Sequence, residues 1–115
     1  MSPTASAVIR PLITRKIFMS EEEAVRELLR DYMLRQIGDL QQRTEQFHHK
    51  YGMDFHQFHE YLHERSELLQ SGSLSEKQRQ TLGRAIMQEE DDWLDWKAAQ
   101  EMLDNWIGMR QEVAA

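Results

Sequence analysis

The chain contains no cysteine, and this absence excludes two familiar ways of stabilising a small protein. Across its 115 residues neither a disulfide framework nor a thiolate-ligated zinc site can form. The few glycines form neither a dinucleotide-binding nor a phosphate-loop pattern, so no nucleotide cofactor is predicted. The composition is compatible with a reducing compartment.

Long hydrophobic runs are also missing. No apolar segment approaches the roughly 20 residues that a membrane-spanning helix requires. The N-terminal residues lack the apolar core and small-residue cleavage pattern of a secretory signal. We therefore expect a soluble, cytoplasmic protein without membrane contacts.

Positive charge is scarce, because the formal net charge is −6 at pH 7. This balance argues against broad nucleic-acid binding, which needs a basic surface. The first 20 residues nevertheless contain Arg10, Arg15 and Lys16 and no acidic residue. These three are candidate DNA contacts, comparable to the strand of a ribbon–helix–helix dimer, although Pro11 would interrupt such a strand.

The residues that are abundant favour helices with solvated outer faces, since 40% of the chain is apolar and 30% is charged. The length predicts a single domain with a modest core, and the composition predicts that this domain is all-α. We assign residues 1–19 to an N-terminal arm, extended or a short strand, and residues 20–115 to a helical domain. The β-branched segment 8–18 favours the extended form, but a packed arm and a short helix are alternatives.

A capping box at Ser20 and Glu23 predicts the start of a long helix that runs to about Lys50. The apolar side of this helix is expected to contain Val25, Leu28, Leu29, Tyr32, Ile37, Leu40 and Phe47. A helix this long needs a hairpin partner or a second subunit to cover its apolar side.

Two further helices are predicted after the break at Gly52. Asp54 is suited to cap a short helix that ends near Gln70, with Phe55, Phe58, Leu62 and Leu69 on one face. Ser75 starts a last helix, which extends to Ile107 or beyond, with Leu82, Ile86, Trp93, Trp96, Leu103 and Ile107 at nearly heptad spacing. The predicted architecture is a long antiparallel helical hairpin with the shorter helix in the bend, and dimerisation would cover its seams.

The sequence from His59 to His63 spells HExxH, the pattern of zinc peptidases. His59 and His63 lie on one helical face, and Glu67 one turn later is a candidate third ligand. Helical phase puts the histidines on the polar side, and no good substrate-binding strand is predicted. We therefore favour a hydrated histidine face, with no catalytic residue, no metal site and no cofactor, and keep a small metallopeptidase as an alternative.

Acidic and aromatic residues are concentrated in the last helix, and they predict a protein-binding surface. Aromatic side chains are frequent interface anchors, and carboxylates complement basic partners. The alternative is a solvated acidic face with Trp93 and Trp96 in the internal seam, while Trp106 is either an exposed anchor or ordinarily packed. The candidate partner-binding residues are Trp93, Trp96, Trp106, Glu89, Glu90, Asp91, Asp92 and Asp95.

Three segments together resemble short helical bacterial antitoxins of type II toxin–antitoxin systems. They are EAVRELLRDY (23–32), FHHKYGMDFHQF (47–58) and EDDWLDWKAAQEML (90–103), and the resemblance spans about residues 20–107. It implies a non-enzymatic protein, expected to be a homodimer, that neutralises a cognate toxin, often a ribonuclease. A structural or adaptor helical dimerisation module without a toxin is the alternative.

Overall fold

The computed structural model describes residues 3–114, and within that range the chain forms four α-helices and no strand. The all-α prediction is confirmed. The helices are α1 (Pro3–Thr14), α2 (Glu21–Tyr51), α3 (Phe55–Gln70) and α4 (Glu76–Ala114). Residues 1, 2 and 115 of the predicted arm and helical domain lie outside the described range.

Helix α1 corrects the prediction of an extended arm or short strand, which is wrong over Pro3–Thr14. Pro3 occupies the first turn, where its missing N–H has no intrahelical partner to lose. Pro11 removes one internal hydrogen bond, yet the helix continues past it to Thr14. It ends where Lys16 adopts a φ of 60° and the Ile17 amide donates to the Leu12 carbonyl at 2.9 Å. Local hydrogen bonding therefore outweighs the β-branched composition here.

The predicted capping signal at the start of α2 is present, with one difference in its second bond. The Glu23 amide donates to the Ser20 hydroxyl at 3.1 Å. The Glu23 carboxylate accepts from the amide of Met19 at 2.9 Å, whereas in a regular capping box it would accept from the amide of Ser20. Three glutamates in the first turn also face the positive end of the helix dipole.

The starts of α3 and α4 use reciprocal capping boxes. The Asp54 carboxylate accepts from the Gln57 amide at 2.8 Å, and the Gln57 side chain accepts from the Asp54 amide at 2.9 Å. Ser75 and Gln78 repeat this exchange at 3.2 and 2.9 Å. Gly52 has a φ of 64°, a left-handed conformation that glycine adopts without strain, so the chain can turn between α2 and α3.

The chain divides into two compact units, and both α2 and α4 contribute to each. Within the described range, unit 1 comprises residues 3–38 and 106–114, and unit 2 comprises Asp39–Asn105.

Unit 2 has an aromatic core, in which Phe58, Leu62 and Trp96 are buried. Half-buried aromatic rings surround them: Phe47, Tyr51, Phe55, Tyr61 and Trp93. Ile86, Ala99 and Leu103 of α4 are also buried. The predicted apolar faces of α3 and of this part of α4 are therefore confirmed.

Unit 1 buries Ala24, Met33 and Ile37 of α2, of which only the last two have large side chains. The predicted face of this helix is correct at Ile37 but wrong at Val25, Leu28 and Tyr32, which are exposed. Apolar residues occur on more than one side of this half of α2, so periodicity alone does not select the buried side.

Candidate functional site

Trp96 organises the interior of unit 2 and does not lie on its surface. Its ring centroid is 5.7 Å from that of Phe47, 5.5 Å from Phe55 and 5.6 Å from Phe58. Only 3% of Trp96 is exposed. The prediction that Trp96 contacts a partner is therefore wrong, and the alternative, a place in the internal seam, is confirmed.

Trp93 lies at the edge of this core and is half-buried. It stacks on Phe55 with ring centroids 5.8 Å apart, and the His59 ring is 5.5 Å away. The Lys97 ammonium lies 5.2 Å from the Trp93 centroid, a cation–π distance. The indole N–H is buried and has no hydrogen-bond partner within residues 3–114. Trp93 thus connects the core to the surface beside α3.

Asp92 of α4 takes part in a hydrogen-bond network with residues of α2. It accepts a hydrogen bond from the Lys50 ammonium at 2.6 Å and another from the Tyr51 hydroxyl. Burial alone would raise the pKa of Asp92, but the bonds from Lys50 and Tyr51 outweigh burial, so this pKa is lowered. Burial, reinforced by the bond to Asp92, raises the pKa of Tyr51 above its ordinary value.

Two more of the predicted partner-binding carboxylates are paired inside unit 2. Glu89 accepts from the Arg65 guanidinium at 2.8 Å, and both side chains are largely buried. Asp95 lies 3.9 Å from the Arg43 guanidinium, in a more exposed pair. Glu89 and Asp92 therefore connect α4 to α3 and α2, whereas Asp95 makes only a long, exposed pair that contributes little.

Glu90 and Asp91 differ from these three, because their exposed carboxylates form no ion pair and no side-chain hydrogen bond within residues 3–114. Glu90 borders a cleft of about 280 Å³ between α3 and α4. Leu94, one turn after Glu90, borders the same cleft and is 56% exposed. Met87, one turn before Glu90, is another exposed apolar side chain. The cleft is lined by His59, Leu62, His63, Ser66, Glu90, Trp93 and Leu94.

The HExxH residues do not form a three-ligand site. The His63 imidazole is 3.1 Å from the Glu67 carboxylate, whereas His59 packs beside Trp93. The Glu60 carboxylate is 3.4 Å from His56 on the exposed side of α3. No three His, Cys, Asp or Glu side chains converge as metal ligands anywhere in the described part of the chain. His59, His63 and Glu67 therefore do not assemble the chelate that the metallopeptidase alternative requires.

The remaining candidate residues lie in unit 1. Trp106 is half-buried and meets Tyr32 edge to face, with ring centroids 5.8 Å apart. Arg10 is exposed on α1, and Arg15 and Lys16 are exposed in the turn that follows. DNA binding through these three residues stays a prediction.

No family model, curated protein or solved structure matches this chain. None of the helices within residues 3–114 is both long enough and apolar enough to cross a bilayer. Function must therefore be inferred from the chemistry of the surfaces.

Proposed function

We propose that this protein is an antitoxin-like interaction protein that binds and neutralises a basic toxin, such as a ribonuclease, through the cleft between α3 and α4. The observation that carries the proposal is the position of Leu94 at this cleft, next to carboxylates that have no internal partner. A cleft with apolar side chains at its centre and unpaired carboxylates at its rim has the composition of a protein-binding surface.

The chemistry of the cleft defines the partner segment that it would accept. One apolar side chain of the partner would enter between Leu94 and the half-buried Trp93, where contact removes apolar surface from water. Lysine or arginine residues beside that anchor would pair with Glu90 and Asp91. Because such charges act at the rim of the interface, they steer association and set specificity more than they add affinity.

We propose that α2 and α4 form an antiparallel hairpin that acts as a homodimer in the cytoplasm. In unit 2 the ion pairs support this direction, because the later residue of α2, Lys50, meets the earlier residue of α4, Asp92, while Arg43 meets Asp95.

Coexpression with the product of the adjacent gene tests the proposed function. The wild-type chain is expected to copurify with that product and to restore growth when the product halts it. Leu94→Arg should abolish both effects, because it places a bulky cation at the cleft that would receive a basic segment.

Leu68→Arg is the matched control, since Leu68 is 46% exposed on α3 and does not line the cleft. This variant should retain copurification and growth rescue. The absence of both a complex and growth rescue with the wild-type chain would refute the toxin-binding proposal.

A helical adaptor that dimerises without a toxin is the second candidate function, and the exposed apolar side of α2 in unit 1 favours it. Gene neighbourhood separates the two candidates. An adaptor needs no toxin gene beside its own, and Leu94→Arg would then leave growth unchanged under every coexpression condition.

A further inference from the structure

An exposed apolar stripe runs along the first half of α2. It consists of Val25, Leu28 and Tyr32, which lie three and four residues apart and are all exposed. At about 100° per residue, these positions fall within about 60° of one another around the helix axis. The stripe is therefore a continuous face, and each of its side chains stays more than a third exposed even though Trp106 of α4 meets Tyr32 edge to face.

Two opposite charges bracket the stripe at equal distances. Glu21 lies seven residues before Leu28 and Arg35 lies seven residues after it. Seven residues are close to two helical turns, or about 10 Å along the axis, so both charges lie nearly in line with Leu28. The stripe thus has an acidic end, an apolar middle and a basic end.

We propose that this stripe is the contact between two copies of the chain, packed antiparallel about a twofold axis at Leu28. In that arrangement Leu28 meets its own counterpart, and Val25 of each copy lies near Tyr32 of the other. Glu21 of each copy comes opposite Arg35 of the other, so two equivalent ion pairs close the ends. A twofold contact of this kind uses the same patch on both subunits.

The charges also specify the direction of packing. A parallel pair would place Glu21 against Glu21 and Arg35 against Arg35, and like charges at close range are repulsive. In the single chain, Arg35 pairs with Asp31 on its own helix and Glu21 accepts a hydrogen bond from Ser6 at 3.2 Å. Exposed helical pairs of this kind contribute little, so Arg35 can turn to a second copy at small cost.

The stripe on α2 would be the interface of the proposed homodimer, so this inference rests on the homodimer in the proposed function. It does not depend on the toxin, since dimerisation is measured on the purified chain alone. A failure of toxin binding would therefore leave the dimer result intact, and a monomeric chain would leave the coexpression result intact.

Sedimentation equilibrium on the full chain is the first test. The wild type is expected at twice the 13.7 kDa of one chain, and Leu28→Asp at one. Leu34→Asp is the matched control, because Leu34 is 43% exposed, close to the 46% of Leu28, and points about 180° away from Val25. It should stay dimeric. A monomeric wild type, or equal behaviour of the two variants, would overturn the proposal.

Charge exchange and cross-linking test the direction of packing. Glu21→Arg and Arg35→Glu should each weaken the dimer at least tenfold, and the double variant should recover most of that loss. Because the chain has no cysteine, Leu28→Cys should form a disulfide-linked dimer under mild oxidation, whereas Leu34→Cys should not. No recovery in the double variant, or equal cross-linking at both positions, would contradict an antiparallel contact at Leu28.

Discussion

Units 1 and 2 are built from the same two long helices, yet they bury their apolar residues to different extents. In unit 2, α3 supplies Phe58 and Leu62, which pack with Trp96 inside a shell of further aromatic rings. Unit 1 buries Ala24, Met33 and Ile37 of α2 but leaves Val25, Leu28 and Tyr32 exposed. Unit 2 therefore completes a core within one chain, while unit 1 keeps an apolar surface that a second molecule can cover.

The difference follows from the elements available to each unit. The reciprocally capped α3 delivers large rings to unit 2, and ion pairs such as Lys50 with Asp92 tie α2 to α4 there. Unit 1 has α1, which carries no aromatic residue and only modest apolar volume. The long helices α2 and α4 are thus helical in both units, but their apolar residues are packed more completely in unit 2.

Truncation of the unit 2 core should produce the largest effect. Phe58→Ala removes a fully buried ring and should lower the free energy of unfolding by about 3–5 kcal/mol in chemical denaturation. Leu34→Ala in unit 1 should cost less than about 1 kcal/mol, because its side chain is already exposed. Equal losses would contradict the contrast between the two units.

Acid should weaken unit 2 through Asp92. Because the folded-state pKa of Asp92 is lowered, its contribution to stability is present above the unfolded-state pKa of about 4 and is lost as the pH falls further. Asp92→Asn should lower the free energy of unfolding by about 1–2 kcal/mol at pH 7 and make it less sensitive to pH between about 2 and 5.

Asp91→Asn is the control for this effect, since Asp91 lies on the same helix and is exposed without an ion pair in the described part of the chain. Denaturant titrations across this pH range should give the Asp91 variant the same slope as the wild type. An identical pH dependence of all three proteins would show that the Asp92 network does not stabilise unit 2.

The smallest effect should come from the histidine face of α3. Glu60→Gln removes an exposed pair with His56 and should change the free energy of unfolding by less than about 0.5 kcal/mol. In a peptidase assay with added Zn²⁺, the wild type and this variant should both give only the rate measured without protein. A peptidase activity that requires Glu60 would restore the metallopeptidase alternative.

The helices of unit 2 could be predicted because local signals determine them. Asp54 and Ser75 cap the helices they were expected to start, and the apolar spacing of α3 selects its buried face. Segment 8–18 has no such signal, and its β-branched residues favoured an extended arm that the structure replaces with α1. The stripe on α2 was misassigned because several sides of that helix carry apolar residues.

The candidate site was only partly predictable, since ion pairing depends on contacts between distant residues. Lys50 and Asp92 are 42 residues apart, and no local sequence pattern shows that the Asp92 carboxylate pairs with Lys50. Nearly heptad spacing indicated that Trp96 can belong to the seam, but not that it would be almost fully buried. Leu94 was missed, although its position outside that seam is a signal that could have found it.

The Arg65–Glu89 pair has a consequence for how accurately α3 is aligned on α4. The Nε of Arg65 and the second carboxylate oxygen of Glu89 are buried without hydrogen-bond partners within residues 3–114, so the pair is only partly satisfied. Such a pair adds little net stability compared with apolar side chains of the same size. A slip of α3 by one helical turn, about 5.4 Å, would however separate the two charges and leave both uncompensated. The pair therefore contributes to the specificity of packing, because it destabilises a misaligned α3 more than it stabilises the native alignment.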